Sequence, residues 1–305
     1  MSRSQRFTRR RSLQSIFALG ATCAAAGCSK ILRADIVPQD VGIGIAPNRL
    51  TDSAVLNFAL NLEYLEAEYY RLALTGEHLP QGDVGPKAGA VAGGRRVTFK
   101  TPAIGELAEE IAADELAHVR YLRKEILGDL LVEPSRPAIN FPDAFKAAAA
   151  AAGLSADFDP FDDEVSFLLG AFMFEDVGVS AYTGAAKLIE ENEKLESAAG
   201  ILAAEGYHAG AIRTELYMMG GDARRMANAI SAARGTLSGV ASKDQGITGA
   251  GQPPAAANIV PSDANAIAFA RHPEEVLRIV YLNPRDNVSK GGFFPEGVNG
   301  VVDVT

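Results

Sequence analysis

Glu115 and His118 stand three residues apart in DELAHVRY, residues 114–121. Glu205 and His208 repeat that spacing in AEGYHAGAIR, residues 204–213. The chain has only four histidines, so two of them at this spacing inside Ala-rich segments call for a chemical reason. Residues i and i+3 share a helix face, so each Glu and its His can aim at one centre. Two more glutamates extend the series. Tyr70 follows Glu63 by seven residues, and Tyr182 follows Glu175 by the same interval. Seven residues are about two helical turns, which sets each Tyr above its Glu on one face. The order along the chain is Glu, Glu-x-x-His, Glu, Glu-x-x-His.

Four carboxylates and two imidazoles are costly to bury as bare groups. Two divalent cations would offset the four negative charges, and a site rich in carboxylate with two imidazoles suits iron or manganese. The predicted metal set is Glu63, Glu115, His118, Glu175, Glu205 and His208. Glu66 lies on the same face as Glu63 and is the alternative ligand from the first helix. Glu63 is preferred because its Tyr at +7 matches that of Glu175. Chemistry open to such a pair is activation of dioxygen or peroxide, or disproportionation of peroxide. No catalytic residue is assigned beyond the metal set, and no organic cofactor is expected.

The repetition runs past the ligands. Ile111 and Arg123 flank the first Glu-x-x-His at −4 and +8 from its Glu, and Ile201 and Arg213 flank the second at the same offsets. Such self-similarity predicts two related helix pairs about a pseudo-twofold axis.

The elements that must position these residues are helical. A first helix begins near Thr51 or Asp52, either of which can cap it, and stops at Gly76. Residues 77–100 are Gly-rich and read as a loop, with a short hairpin expected around GGRRVTF. They carry no phosphate-cradling pattern. Thr101 and Pro102 open a second helix that runs to about Leu127. A short helix, PDAFKAAAAAAG, interrupts the crossover 129–161. Further helices are predicted over about 163–191, 193–219 and 222–237. Beyond 238 the chain is loop-rich, with one amphipathic piece at 273–282. Phe293 and Phe294 are expected to pack the tail onto the bundle. His78 and His272 lack ligand companions and are expected at the surface.

Residues 1–28 read as an export signal of the twin-arginine type, with TRRRSL (8–13) before a short apolar run. Both cysteines, Cys23 and Cys28, fall here, so the remainder has neither disulfide nor thiolate metal site. AAGC (25–28) also fits lipidation of Cys28, which would anchor the protein to a membrane. Localisation to the periplasm or cell envelope follows. Removing residues 1–27, which hold five arginines and no acid, takes the formal charge from −9 to −14. A surface so acidic disfavours nucleic acid and suits cations. The leader's apolar run is too short and too rich in Ala and Gly to read as a membrane span, and no other segment is long enough. The expected organisation is the signal 1–28, a linker 29–50, a helical bundle 51–237 and an extension 238–305.

The helix order and ligand pattern resemble the ferritin-like di-iron and di-manganese carboxylate proteins. LNFALNLEYLEAEYYRLAL, DELAHVRYLR, FEDVGVSAY and the tail's GGFFPEGVNG are similar to exported bacterial ferritin-like domain proteins related to plant desiccation-related proteins. The resemblance implies an all-α fold: a four-helix bundle with a long crossover, plus a C-terminal helix and tail. It implies terminal-ligand roles for Glu63 and Glu175, bridging roles for Glu115 and Glu205, and one metal for each of His118 and His208. Tyr70, Tyr182, Asp114 and Asp176 would support those ligands. An oligomer is compatible with this fold. The functional expectation is a dimetal oxidoreductase or metal-binding protein of peroxide, metal or desiccation stress. The alternative is a stress-associated structural or interaction protein that uses the bundle without catalysis.

Overall fold

The computed structural model describes residues 50–129, 134–249 and 256–305. The expected export signal, with Cys23 and Cys28, lies outside the described residues, as does nearly all of the linker. Eight helices appear among the described residues: α1 Asp52–Thr75, α2 Gln81–Val84, α3 Pro102–Asp129, α4 Phe141–Ala151, α5 Glu164–Ala185, α6 Asn192–Met219, α7 Gly221–Ser238 and α8 Pro273–Val280. Four long ones make the bundle. α1 packs mainly against α3 and α5 mainly against α6, and the pairs meet through α1–α5 and α3–α6 contacts.

Local chemistry explains the boundaries. The Thr51 side chain accepts from the Ala54 amide at 3.2 Å, and Gly76 ends α1 in the left-handed conformation that glycine adopts without strain. The Asp163 side chain caps α5 through the Ser166 amide. α5 stops at Ala185, six residues before the expected end. Ala186–Leu188 tighten into a 3-10 turn, and the amides of Glu190 and Glu191 bond instead to the Asp52 carboxylate, each at 2.9 Å. The expected hairpin around GGRRVTF does not form. Val91–Ala92 (β1) pairs in parallel with Ile139–Asn140 (β2), stitching the first loop to the crossover.

α1 and α5 are buried on nearly every face. Alone among the described helices, the one continuing from α5 is long and apolar enough to cross a membrane, yet 83% of that stretch is buried inside the protein. It is a core helix, apolar all round because neighbours cover all sides. α3 and α6 keep one face in solvent. On the opposite side, α4, α7, α8 and the tail cover α1 and α5. Phe293 lies edge-on to Phe145 and Phe174, with ring centroids 5.0 Å apart in both cases. Asn299 pins the end of the tail to α1: its carbonyl accepts from Asn57 and Asn61, and its amide donates to Asn61.

The repeated arginines do repeated work. Arg123 on α3 donates to the Gly82 carbonyl at 2.8 Å, and Arg213 on α6 donates to the carbonyls of Gln245, Gly246 and Asn258. Each fastens an excursion of the chain back to its own helix pair.

Candidate metal centre

The four long helices bring all six predicted ligands into the interior, in two groups. Glu63, Glu115, His118 and Glu205 form one, and Glu115, Glu175 and His208 the other; within each, one ligand atom per residue lies within 4.8 Å of the rest. Glu115 belongs to both. Its Oε2 lies 3.7 Å from His118 Nδ1 and its Oε1 lies 3.1 Å from His208 Nδ1. That is the placement of a carboxylate shared between two cations. Glu205 approaches His118 Nδ1 at 3.7 Å and stands in the first group alone, so the symmetric pair of bridges implied by the resemblance is not reproduced. The remaining contacts are Glu63 Oε2 to His118 Nδ1 at 3.2 Å and Glu175 Oε2 to His208 Nδ1 at 3.5 Å.

The tyrosines support this set in a crossed manner. Tyr70 of α1 donates to Glu175 of α5, and Tyr182 of α5 donates to Glu63 of α1. Two turns along a helix place each hydroxyl near the pseudo-twofold partner of its own helix's glutamate. Burial and the neighbouring carboxylates push both phenols well above their usual range, so they stay neutral donors. Asp114 Oδ2 lies 3.1 Å from His208 Nε2. It orients the ring and leaves Nδ1 facing the centre, as carboxylates behind metal-binding imidazoles do.

Asp176 does not join this set. Next to Glu175 on α5, it faces the other way and accepts from Arg213 at 2.7 Å and Arg234 at 2.6 Å. Adjacent helical residues point about 100° apart, so the two acids serve different clusters. Glu66 does face the centre, as its shared face with Glu63 required, but belongs to neither ligand group. His78 is exposed yet contacts the buried Glu68 at 3.4 Å, and His272 is exposed at the start of α8.

Electrostatics set the character of the site. Burial raises Glu115 to about 7, with Glu63 adding to the shift. Burial and neighbouring carboxylates, Glu115 foremost, also hold Glu66 and Glu205 well above the ordinary range. Burial opposes protonation of His118 and His208, but the adjacent carboxylates prevail, lifting them to about 10 and about 12. Glu63 is held low: burial pushes it up, and His118 foremost more than offsets that. Without metal, protons must therefore occupy a place shaped for cations.

Whether the residues fit two metals is tested by what they leave unbonded. Six buried atoms of this cluster have no hydrogen-bond partner: both oxygens of Glu115, both of Glu205, Glu175 Oε2 and His208 Nδ1. Buried polar atoms are rarely left so. Oxygen and imidazole nitrogen are donor atoms for iron or manganese, and here they converge from four helices. The set fits.

Comparison with known proteins agrees with the geometry. Residues 51–218 match the family described as "Ferritin-like domain". The chain belongs to that family. Among relatives of this ferritin-like protein, "Ferritin-like catalase Nec2" of Nesocodon mauritianus is 28% identical over 265 residues, 82% of this chain and 84% of the relative. "Desiccation-related protein PCC13-62" of Craterostigma plantagineum is 28% identical over 241 residues, 74% of this chain and 76% of the relative. No solved structure gives a significant match. The protein is thus a ferritin-like protein related to desiccation-related proteins, with a carboxylate–histidine cluster able to hold metal.

Sequence spacing picked out the six residues that converge here but missed part of their surroundings. Gly178 is one such residue. A Cβ there would lie 2.1 Å from Glu205 Oε2, so glycine lets α5 pass close to the centre with the Glu205 carboxylate in this position. Its signal was present in the repeat, since Gly178 follows Glu175 by three just as Glu66 follows Glu63. The buried arginine cluster around Asp244 had no comparable signal.

Proposed function

We propose that this protein is an exported dimetal oxidoreductase, using iron or manganese, that converts two molecules of hydrogen peroxide into two of water and one of dioxygen. The observation that carries the reading is the convergence of five unbonded carboxylate oxygens with two imidazoles in two groups sharing Glu115. A relative named as a ferritin-like catalase supports peroxide as the substrate. Residues 1–28 direct export to the periplasm or envelope, where Cys28 is a candidate lipid anchor.

Bound metals would supply the two-electron chemistry, passing electrons from one peroxide to the other. Glu63, Glu115, His118 and Glu205 would hold one ion, and Glu115, Glu175 and His208 the other. Tyr70 and Tyr182 fix Glu175 and Glu63, and Asp114 fixes His208. Glu66 holds a proton beside Glu205 in this reading, available to the oxygen that leaves as water. Peroxide enters from the α3–α6 side, where the His118 side chain is 13% exposed and Asp114 is 47% exposed. The test is oxygen evolution from peroxide by protein loaded with iron or with manganese. Steady evolution at metal-dependent rates supports the proposal. A metal-filled protein that evolves none would contradict it and favour the non-catalytic stress role that the desiccation-related relative's name brings to mind.

A further inference from the structure

The centre meets two unlike environments. Toward α3 and α6 it approaches solvent through His118 and Asp114. Toward α1 and α5 it abuts a cavity of about 20 Å³. The inner end of this cavity is formed by Glu66 and Gly178. These two residues also border the ligands, since the Cβ that Gly178 lacks would lie 2.1 Å from Glu205 Oε2 and 3.4 Å from Glu66 Oε1. The walls are apolar and buried, among them Val177, Ile230 and Phe293. Half-buried Ala233 and Leu237 of α7 and Leu282 after α8 mark the outer end.

Size and polarity select the occupant. A cavity of roughly 10–15 Å³ holds one water-sized molecule, so this one admits a guest of about two heavy atoms and excludes organic substrates. Arg234 borders the cavity but is engaged by the Phe172 carbonyl, Asp176 and Asp244. Glu66 is therefore the one side chain in the lining with a carboxyl to offer, and it sits at the inner end. Peroxide and water need several hydrogen-bond partners along a path, whereas apolar cavities stay dry and take up apolar gases. The repeat that places Glu66 on α1 places Gly178 on α5, where the missing side chain leaves room for the Glu205 carboxylate directly behind the cavity wall.

We propose that this cavity is a dioxygen passage between the metal centre and the surface at α7 and α8. Peroxide and water use the α3–α6 face, and the product gas leaves by the apolar side. The passage rests on the peroxide reading for its direction of flow, but its existence is testable without turnover. Crystals of the mature protein as isolated, pressurised with xenon, should show the gas bound between Val177, Ile230 and Phe293. Ala233→Phe, or Leu237→Phe should the first variant fold poorly, should abolish that site with metal content unchanged. Absence of xenon in the unaltered protein would overturn the proposal. So would ordered water filling the cavity, or xenon binding equally well when both positions carry Phe. A protein that takes up xenon at this place but evolves no oxygen from peroxide would sink the catalytic reading and leave the gas site standing.

Discussion

Two buried charged clusters sit back to back on α5, divided between Glu175 and Asp176. Around Asp176 the protein supplies its own cations. Arg213, Arg234 and Arg271 surround Asp176 and Asp244, with Arg234 to Asp244 at 2.9 Å and Arg271 to Asp244 at 2.7 Å. Backbone carbonyls and Ser180 and Ser231 take up most of the remaining hydrogen bonds, leaving Asp176 Oδ1 and Arg271 Nε without a partner. Around Glu175 the arrangement is reversed. Carboxylates dominate, the nearest positive groups are two imidazoles, and five carboxylate oxygens are unbonded. One cluster is closed by side chains of its own. The other is shaped around charge that the chain does not carry. That difference separates a structural ion network from a cluster able to hold metal more sharply than burial or carboxylate count does.

The comparison can be broken by substitution. The largest effect expected is on metal. Glu115→Ala removes the residue common to both groups and should eliminate both ions, whereas His208→Ala should leave the complete group of Glu63, Glu115, His118 and Glu205 able to retain one; metal analysis of each variant distinguishes these outcomes. Asp244→Ala acts on the closed cluster. Stranding buried Arg234 and Arg271 should cost about 3–5 kcal/mol in denaturant unfolding, with the metal content of the folded fraction unchanged. If Asp244→Ala instead empties the centre, the two clusters are not independent.

A finer effect comes from Asp114→Asn, which weakens the partner of His208 without removing a ligand. Metal affinity should fall about 10–100-fold, measured by competition with a chelator. Tyr182→Phe should be milder, removing one hydrogen bond to a charged group at about 1.5–3 kcal/mol, while metal still binds.

Acidity sharpens the contrast further. In the metal-free protein, Glu115 is raised from 4.5 to about 7 and His118 from 6.5 to about 10. Groups raised in the folded state stabilise it below their unfolded pKa, and that contribution is lost as pH climbs through the folded value. Metal-free protein should therefore lose stability from about pH 4.5 upward, with Glu63, which is held low, acting oppositely only at the acid end. Metal displaces those protons, so the melting temperatures of loaded and metal-free protein should diverge as pH rises. Calorimetry across the range checks this.

The convergence of the six residues was legible because a shared focus in the bundle core writes its spacing into the helices that carry it. Glu-x-x-His twice, and Glu with Tyr at +7 twice, left little freedom once the segments were helical. Roles within the set were less legible. The Tyr pairs serve each other's glutamates, which needs the inter-helix geometry rather than one helix's face. Asp176 was misplaced because adjacency to Glu175 says nothing about which neighbour covers that side of α5. The arginine cluster gathers residues from α6, α7 and the tail at separations that no local pattern records. Likewise, the early end of α5 depends on Asp52, more than a hundred residues away, capturing the amides of Glu190 and Glu191.

The central claim is that the Glu175 side of this pair of clusters is completed by two metal ions. Elemental analysis of mature protein prepared without chelator, beside a Glu115→Ala/His208→Ala variant of matched folding, tests it most directly. Close to two irons or manganeses per chain, absent from the variant, is the expected result. No metal in the unaltered protein, before or after reconstitution with either ion, would contradict the account.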